Sequence, residues 1–161
     1  MYNKMQKTNA MRQLDAKKIK YEIHEYDDTV AVSGVEVANY LHEDVNHLFK
    51  TLVTVGKSKK YYVFMLPGDE ELDLKKAAKV ANEKSIEMVK SKELLGLTGY
   101  IHGGCSPVGM KKLFKTFIHN SVDNCSTIFV SGGKRGLQIE LTFDDLNKVV
   151  PIIKEDLIVE K

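Results

Sequence analysis

Lys50 combines a chemically active side chain with surroundings that suggest a site. It opens residues 50–55, which are otherwise uncharged and rich in β-branched residues and therefore predict a strand. Because a strand alternates its faces, Lys50 shares one side with Leu52 and Thr54. An ammonium beside apolar neighbours is either an edge residue that extends to water or a charge held in a pocket for an anion or a developing negative charge. Both interpretations stay open on this stretch alone.

Two glycine-rich segments offer main-chain donors as a second chemical resource. Residues 99–109 contain four glycines and one proline, and loops of this kind commonly present N–H groups to a ligand. Residues 132–136 contain Arg135, whose guanidinium suits a phosphate or the terminal ribose of an RNA. The structural alternatives are a tight turn for the first segment and a bare hairpin turn for the second.

Thiol and imidazole groups are a third candidate source of chemistry. Cys105 as a nucleophile would need a base and an orienting group beside it, which the sequence alone does not supply. The residue types of a zinc site occur only at irregular spacing, at His102, Cys105, His119 and Cys125. No metal is therefore predicted. Two cysteines without a short repeating spacing do not make a disulfide framework, so both are predicted to be reduced.

The bulk composition predicts one ordinary domain, residues 1–161, with a mass of 18.2 kDa. No apolar run approaches the roughly 18 residues of a membrane-spanning helix. Residues 1–7 carry lysines without a following apolar stretch, so no secretory signal is expected and the cytoplasm is the default compartment. The formal net charge of +2 permits a nucleic-acid partner without requiring one, and solvated faces explain most of the lysine clusters.

Capping and turn residues predict a chain in which strands outnumber helices. Predicted helix N-caps are Thr8, Ser33 (with Glu36), Asp73 and Thr142 (with Asp145), and Ser91 begins a short helix that Gly96 and Gly99 end. Predicted strands cover residues 21–26, 50–55, 61–66, 85–89, 113–119, 126–131 and 137–141. Residues 56–60 join two strands as a hairpin, and residues 120–124 form a turn between two others. The fold is predicted to be mixed α/β (α+β), with a largely antiparallel mixed sheet that forms a barrel-like core with surrounding helices.

Four segments, taken together in order and spacing, resemble the YbaK family of aminoacyl-tRNA deacylases. They are Phe49-Lys50-Thr51-Leu52-Val53, Leu72-Asp73-Leu74-Lys75-Lys76, residues 98–109 and residues 131–137. The resemblance extends from about Thr8 to Val159 and is nearest to the cysteinyl-tRNA(Pro) deacylases. It implies a mixed α/β, barrel-like fold related to the editing domain inserted in bacterial prolyl-tRNA synthetases.

The resemblance also implies a set of site residues. Lys50 matches the essential lysine and Tyr26 a pocket tyrosine, while residues 99–109 enclose the aminoacyl group and residues 131–136 line the opposite wall near the terminal adenosine. Ser33 stands where close relatives carry an aromatic residue, and Cys105 replaces an aliphatic one, which leaves the identity of the amino acid open. The implied substrate-binding residues are Tyr26, Ser33, Gly99, Gly103, Gly104, Cys105, Ser106, Pro107, Gly109, Ser131, Gly132, Gly133, Arg135 and Gly136.

The activity implied by the resemblance is trans-editing. Such an enzyme clears mischarged tRNA(Pro), with Cys-tRNA(Pro) as the first choice, and needs no cofactor or metal because the thiol of the substrate attacks its own ester. The alternatives are a deacylase for another small aminoacyl-tRNA, such as Ala-tRNA(Pro), and a non-catalytic module that binds tRNA or a synthetase. The implied partners are tRNA(Pro) and prolyl-tRNA synthetase, no membrane is expected, and a monomer is favoured.

Overall fold

The computed structural model describes residues 6–161, so the start of the chain, where no secretory signal is expected, lies largely outside the described residues. The helices are α1 (Asn9–Ala16), α2 (Gly34–Tyr40), α3 (Leu74–Ala81), α4 (Ser91–Thr98) and α5 (Phe143–Val149). The strands are β1 (Glu22–Glu25), β2 (Phe49–Gly56), β3 (Tyr61–Pro67), β4 (Ile86–Met88), β5 (Lys115–His119), β6 (Ile128–Ser131), β7 (Leu137–Leu141) and β8 (Ile152–Glu155). Short 3-10 helices at Val45–His47 and Asn120–Asn124 precede β2 and β6.

The four predicted N-caps are confirmed by their hydrogen bonds, although the Asp145 side chain does not return the bond of a capping box at Thr142; α4 begins at Ser91 as predicted, without a side-chain cap. Ser33 and Glu36 form the predicted capping box at the start of α2. Gly99 ends α4 in the left-handed conformation, with φ of 86°, whereas Gly96 lies inside the helix instead of ending it. Three further side chains accept hydrogen bonds from N–H groups in the first turn of a helix: Thr8 at α1, Asp73 at α3 and Thr142 at α5.

Two sheets carry the fold. The larger sheet has the order β4-β2-β3-β5-β8, in which β2 runs antiparallel to β3 and β4, while β3, β5 and β8 are parallel. The smaller sheet has the order β1-β7-β6 and is antiparallel. A parallel bridge between Leu48 and Phe129 joins the approach to β2 to β6. The two sheets therefore meet beside the first residues of β2, where Lys50 lies.

The mixed α/β class and the β2–β3 hairpin are confirmed, but the barrel-like core is corrected to two open sheets. The strands on either side of residues 120–124 do not pair, because β5 belongs to the larger sheet and β6 to the smaller. No strand is predicted after Pro151, yet β8 forms there. It is a four-residue strand whose pairing with β5 depends on a distant segment, which local patterns do not reveal.

The core covers β2 and β3 on both faces. Phe64 and Phe117 stack with ring centroids 5.2 Å apart in the cluster that includes the buried alanines of α3. Phe49 and Met65 pack on the opposite side, together with residues of the smaller sheet. None of the helices described from residue 6 onward is long and apolar enough to cross a membrane. Cys105 and Cys125 are both free, Cys105 buried and Cys125 partly exposed.

Candidate active site

A cavity of about 340 Å³ opens beside the first residues of β2. Its walls come from β2, the start of α2, the segment joining β4 to α4, the first glycine-rich loop and the smaller sheet. Most of its lining is apolar, as at Val37, Leu48, Val53 and Leu94. A concave, largely apolar pocket with few polar groups is typical of a small-molecule site.

The structure brings five of the sequence-predicted site residues together in the wall of this cavity. They come from the residue after β1, from β2, from the first glycine-rich loop and from the end of β6. No two of these segments are adjacent in the chain, so the cavity depends on the packing of the two sheets. The five residues are Tyr26, Lys50, Gly103, Cys105 and Ser131.

Lys50 is half-buried, and its ammonium is held by the main chain that follows β3. It donates hydrogen bonds to the carbonyl oxygens of Gly68, at 3.3 Å, and Glu70, at 2.5 Å. Burial lowers the pKa of Lys50, while the charges of Asp69, Glu70 and Glu71 act in the opposite direction. Of the two interpretations left open by the sequence, this geometry favours a charge held in a pocket.

The two glycine-rich loops contact each other through their backbones. A Cβ atom on Gly104 would lie 2.9 Å from Cα of Lys134 and 3.0 Å from N of Arg135, an approach that only glycine permits. Arg135 strengthens this contact, because its Nε donates to the carbonyl oxygen of His102 at 2.9 Å. Arg135 itself lies outside the cavity wall, and the interaction that it makes holds one loop against the other.

The other predicted site residues support the wall without lining it. Ser33 is exposed and its hydroxyl caps α2, although its neighbours Val32 and Gly34 line the cavity. The hydroxyl of Ser106 is buried and accepts from the N–H of Val108 at 3.2 Å. Five glycines adopt the positive φ values that shape the two loops; Gly103 lines the cavity, and the other four, outside its wall, are Gly99, Gly109, Gly133 and Gly136. The remaining predicted residues outside the wall are Gly104, Pro107, Gly132 and Arg135.

Cys105 contributes a buried thiol to the wall. Burial raises the pKa of Cys105 to about 12. A thiol must ionise to act as a nucleophile, and at this pKa it stays protonated near neutral pH. The structure therefore gives no support to Cys105 as a catalytic nucleophile.

This pKa predicts that Cys105 in the native protein resists alkylation by iodoacetamide at about pH 7.5, where about 10⁻⁴ or less of the thiol is ionised. Peptide mass spectrometry after timed exposure measures the labelled fraction. The control is protein unfolded in urea, in which Cys105 and Cys125 both lose their burial and should react readily. Rapid labelling of Cys105 in the folded protein would contradict the prediction.

Sequence reasoning did not single out two polar side chains in the wall, Gln138 and Thr51. Gln138 Oε1 and Thr51 Oγ1 are buried and have no hydrogen-bond partner among residues 6–161. Gln138 is 7% exposed and lies directly opposite Ser131 in the β6–β7 pair. A buried polar atom without a partner costs about 1–3 kcal/mol, so both atoms are suited to a bound ligand. The sequence feature that could have indicated Gln138 is its position between the apolar residues Leu137 and Ile139 at the start of β7.

The four residues considered for a zinc site do not come together in the described part of the chain. The group of potential metal ligands that residues 6–161 do form consists of Glu22, His24 and Glu140, on the smaller sheet. His24 Nε2 lies 2.9 Å from Glu140 Oε1, and Thr127 donates to the other oxygen of Glu140. These side chains satisfy one another, and they do not line the cavity.

Comparison with known proteins relates the chain to tRNA editing. A family model described as the aminoacyl-tRNA editing domain matches residues 29–149. A protein of Enterococcus faecalis named as a Cys-tRNA(Pro)/Cys-tRNA(Cys) deacylase, EbsC, is 47% identical over 137 residues, which cover 84% of each chain. A proline–tRNA ligase of Thermosipho africanus is 30% identical over 78 residues, which are 48% of this chain and 14% of the ligase.

Solved structures share the fold at lower sequence identity. One described as a trans-editing enzyme for prolyl tRNA synthetase has a TM-score of 0.82 at 22% identity, and the match covers 94% of this chain and 93% of the other. Another, described as hypothetical protein APE2540, has a TM-score of 0.84 at 18% identity and covers 93% and 99% of the two chains. At these identities the likeness concerns the fold alone.

Proposed function

The chain belongs to the aminoacyl-tRNA editing domain family, and from this premise we propose that it hydrolyses the ester of mischarged tRNA(Pro), with Cys-tRNA(Pro) as the preferred substrate. The name of the Enterococcus faecalis relative, which cites Cys-tRNA(Pro) and Cys-tRNA(Cys), supports the choice of cysteine. Similarity to short parts of two proline–tRNA ligases supports tRNA(Pro) and a functional link with prolyl-tRNA synthetase. The proposal places the protein in the cytoplasm as a monomer without a cofactor.

The observation that carries this proposal is Lys50, which lines a small, largely apolar cavity and whose ammonium is held by two main-chain carbonyls. Cleavage of an ester develops negative charge on the carbonyl oxygen, and a fixed cation in a water-poor pocket stabilises that charge. An aminoacyl ester is already activated, so positioning and charge stabilisation are the main contributions required of the protein. The N–H groups of residues 99–109 are a second source of donors.

For cysteine, the substrate itself supplies the nucleophile. Its sulfur attacks the ester carbonyl carbon, and the new C–S bond forms as the oxyanion develops. The oxyanion collapses and breaks the bond to the ribose oxygen, which takes up the proton that the thiol gives up. The cyclic thioester that remains is opened by water to free cysteine, so the first step has lyase character and the net result is hydrolysis. This route needs no protein nucleophile, in agreement with the protonated state of Cys105.

Gln138 is assigned to the recognition of the α-ammonium of the amino acid. Its Oε1 is a buried acceptor that lacks a donor in residues 6–161, and it lies in the same cavity wall as Lys50. The α-ammonium is a donor that every aminoacyl ester carries. A hydrogen bond between a charged donor and a buried acceptor contributes about 1.5–3 kcal/mol.

Replacing Gln138 with leucine is therefore expected to raise KM by about 10- to 100-fold, because the α-ammonium loses its acceptor. The melting temperature should not fall, because the substitution also removes a buried atom that has no partner in the ligand-free cavity. Initial deacylation rates over a range of Cys-tRNA(Pro) concentrations and a thermal melt measure the two effects. Gln138→Glu, which keeps an acceptor at this position, is the matched control. An unchanged KM for Gln138→Leu would remove this assignment.

The direct test of the activity is deacylation of a panel of cysteinyl-, alanyl- and prolyl-tRNA(Pro) by the purified protein. We expect loss of cysteine from cysteinyl-tRNA(Pro) and retention of proline on the correctly charged tRNA. If the protein binds these tRNAs but leaves all of them charged, it is a binding module and the proposal fails. Salt-dependent affinity for tRNA is common to both functions, so turnover is the deciding measurement.

The apolar lining of the cavity favours one alternative substrate, Ala-tRNA(Pro), because a methyl side chain fits such surroundings. The two substrates differ in mechanism, since attack by the substrate requires sulfur. Cysteinyl-tRNA(Pro) and its 2-aminobutyryl analogue have similar size, but only the first has a thiol. Equal rates for the two would indicate an attacking water molecule and would favour the alternative.

A further inference from the structure

The segment after β8 lies along the chain that follows β3. We call residues 157–161 the strap. The N–H of Asp73 donates to the carbonyl of Leu157 at 2.8 Å, and the N–H of Val159 donates to the carbonyl of Glu71 at 3.0 Å. Leu72 and Ile158 form an antiparallel bridge between these two bonds. The strap thus fixes the backbone of residues 71–73 from the side.

The strap is anchored on its other side by the body of the fold. Leu157 is fully buried in the cluster beneath α3, and its N–H donates to Nδ1 of His119 at 3.2 Å. Lys76 of α3 donates to the carbonyl of Ile158 at 2.8 Å and to the carboxylate of Asp156 at 2.9 Å. These contacts give the strap a defined place relative to the larger sheet.

The residues that the strap holds are continuous with the acceptors of the Lys50 ammonium. That ammonium binds the carbonyl oxygens of Gly68 and Glu70, and the Val159 bond is made to the very next carbonyl, that of Glu71. Lys161 adds an ion pair with the carboxylate of Glu70, at 2.9 Å between Nζ and Oε1. Residues 68–71 therefore lie between Lys50 on one side and the strap on the other.

A second contact fixes the opposite end of residues 68–71. A Cβ atom on Gly34 would lie 2.8 Å from Cα of Gly68, so the start of α2 packs directly on this backbone. The N–H of Gly68 also donates to the carbonyl of Leu48 at 2.8 Å. The Gly68 backbone is thus set by α2 and Leu48, and the N–H of Glu70 donates to the carbonyl of Pro67 at 3.0 Å. The Glu70 carbonyl therefore lies between this turn on one side and the bond from the strap to Glu71 on the other.

We propose that Val159, through its N–H, and Lys161, through its ion pair with Glu70, are positioning residues that aim the Lys50 ammonium into the cavity. This inference rests on the proposed function, because it takes Lys50 as the group that stabilises the developing oxyanion. Val159 acts through the carbonyl of Glu71, and Lys161 acts through the carboxylate of Glu70. Neither Val159 nor Lys161 lines the cavity. Weakening the strap lets the Glu70 carbonyl move, and the ammonium follows it.

The test is Val159→Pro, which removes the N–H, against Val159→Ala, which keeps it. We expect kcat for Cys-tRNA(Pro) to fall by about tenfold in the proline variant with KM nearly unchanged, since small misplacements of a catalytic group have effects of this order. The same pair is then measured in a Lys50→Met background by single turnover with excess protein. There the proline substitution should change the rate by less than about twofold, because the group that it positions is gone.

The outcomes separate this inference from the proposed function. If Lys50→Met alone keeps the full rate, the role of Lys50 fails before the strap is considered. If Lys50→Met is impaired but Val159→Pro has no effect, or has the same effect in both backgrounds, the strap does not act through Lys50 and the inference is overturned. If circular dichroism shows that Val159→Pro does not fold, variants of the exposed Lys161 provide the test instead. Lys161→Glu, which opposes the carboxylate of Glu70, must lower kcat more than Lys161→Gln, and equal rates overturn the inference.

Discussion

Replacing Lys50 with methionine is expected to lower kcat for deacylation of Cys-tRNA(Pro) by about 10²–10³-fold, the usual cost of removing one group that stabilises an oxyanion. Methionine keeps an unbranched stem of similar length, so it removes the charge with little change in volume. KM should change less than kcat, because the interaction is strongest when the negative charge develops. Steady-state rates with purified charged tRNA measure both parameters.

Two controls make the Lys50 result specific. Lys50→Arg keeps the charge but replaces a compact ammonium with a planar fork, so we expect an intermediate loss of about tenfold. The melting temperature of Lys50→Met should stay close to that of the unchanged protein. Folding lowers the pKa of Lys50, so its charged form costs free energy in the folded state at neutral pH. This cost declines only as the pH rises from the folded pKa to the unfolded pKa. At neutral pH, Lys50→Met therefore relieves it. The lost hydrogen bonds to Gly68 and Glu70 act in the opposite direction. Full activity of Lys50→Met would contradict the proposed role.

Gly104→Ala is expected to have the second largest effect, because it separates the two glycine-rich loops. The added Cβ would meet Cα of Lys134 at 2.9 Å and N of Arg135 at 3.0 Å, and backbone atoms cannot rotate away as a side chain can. Overpacking of this kind costs about 1–3 kcal/mol, which for a chain of this size lowers the melting temperature by about 2–4 °C per kcal/mol. Since Gly103 in the first loop and Ser131, which directly precedes the second, line the cavity, kcat/KM should fall by about tenfold or more.

The matched control for that substitution lies in the same region of the chain. Gly96 is inside α4, and a Cβ atom there has nothing within 4 Å. Gly96→Ala is therefore expected to stabilise the protein by about 0.5–1 kcal/mol, since alanine has the higher helix propensity, and to leave activity unchanged. Differential scanning calorimetry and deacylation rates on both variants provide the comparison. If Gly104→Ala behaved like Gly96→Ala, the loops would not depend on their close approach.

Features set by neighbouring residues could be predicted from the sequence. The N-cap residues Thr8, Ser33, Asp73 and Thr142 fix helix starts through bonds to residues two or three positions away, so short patterns reveal them. The β2–β3 hairpin is equally local, because its strands are joined by a short polar turn.

Features set by distant residues could not be predicted in this way. The assignment of β5 and β6 to different sheets and the pairing of β8 with β5 depend on contacts between segments far apart in the chain. Gln138 could not be predicted as a site residue for the same reason. Its amide oxygen stands out only because the folded structure buries it without a donor within residues 6–161. The grouping of Lys50 with the two glycine-rich loops followed from family resemblance, which carries such distant information implicitly.

The burial of Cys105 has a consequence for redox chemistry in the cavity. A substrate that carries cysteine brings a second sulfur close to this thiol, and two sulfurs at close range can become linked as a mixed disulfide under oxidising conditions. Thiol–disulfide exchange and oxidation both proceed through the thiolate. Because the pKa of Cys105 is about 12, almost none of that thiolate exists at neutral pH, and the pocket is protected from blockage by a cysteine-bearing substrate.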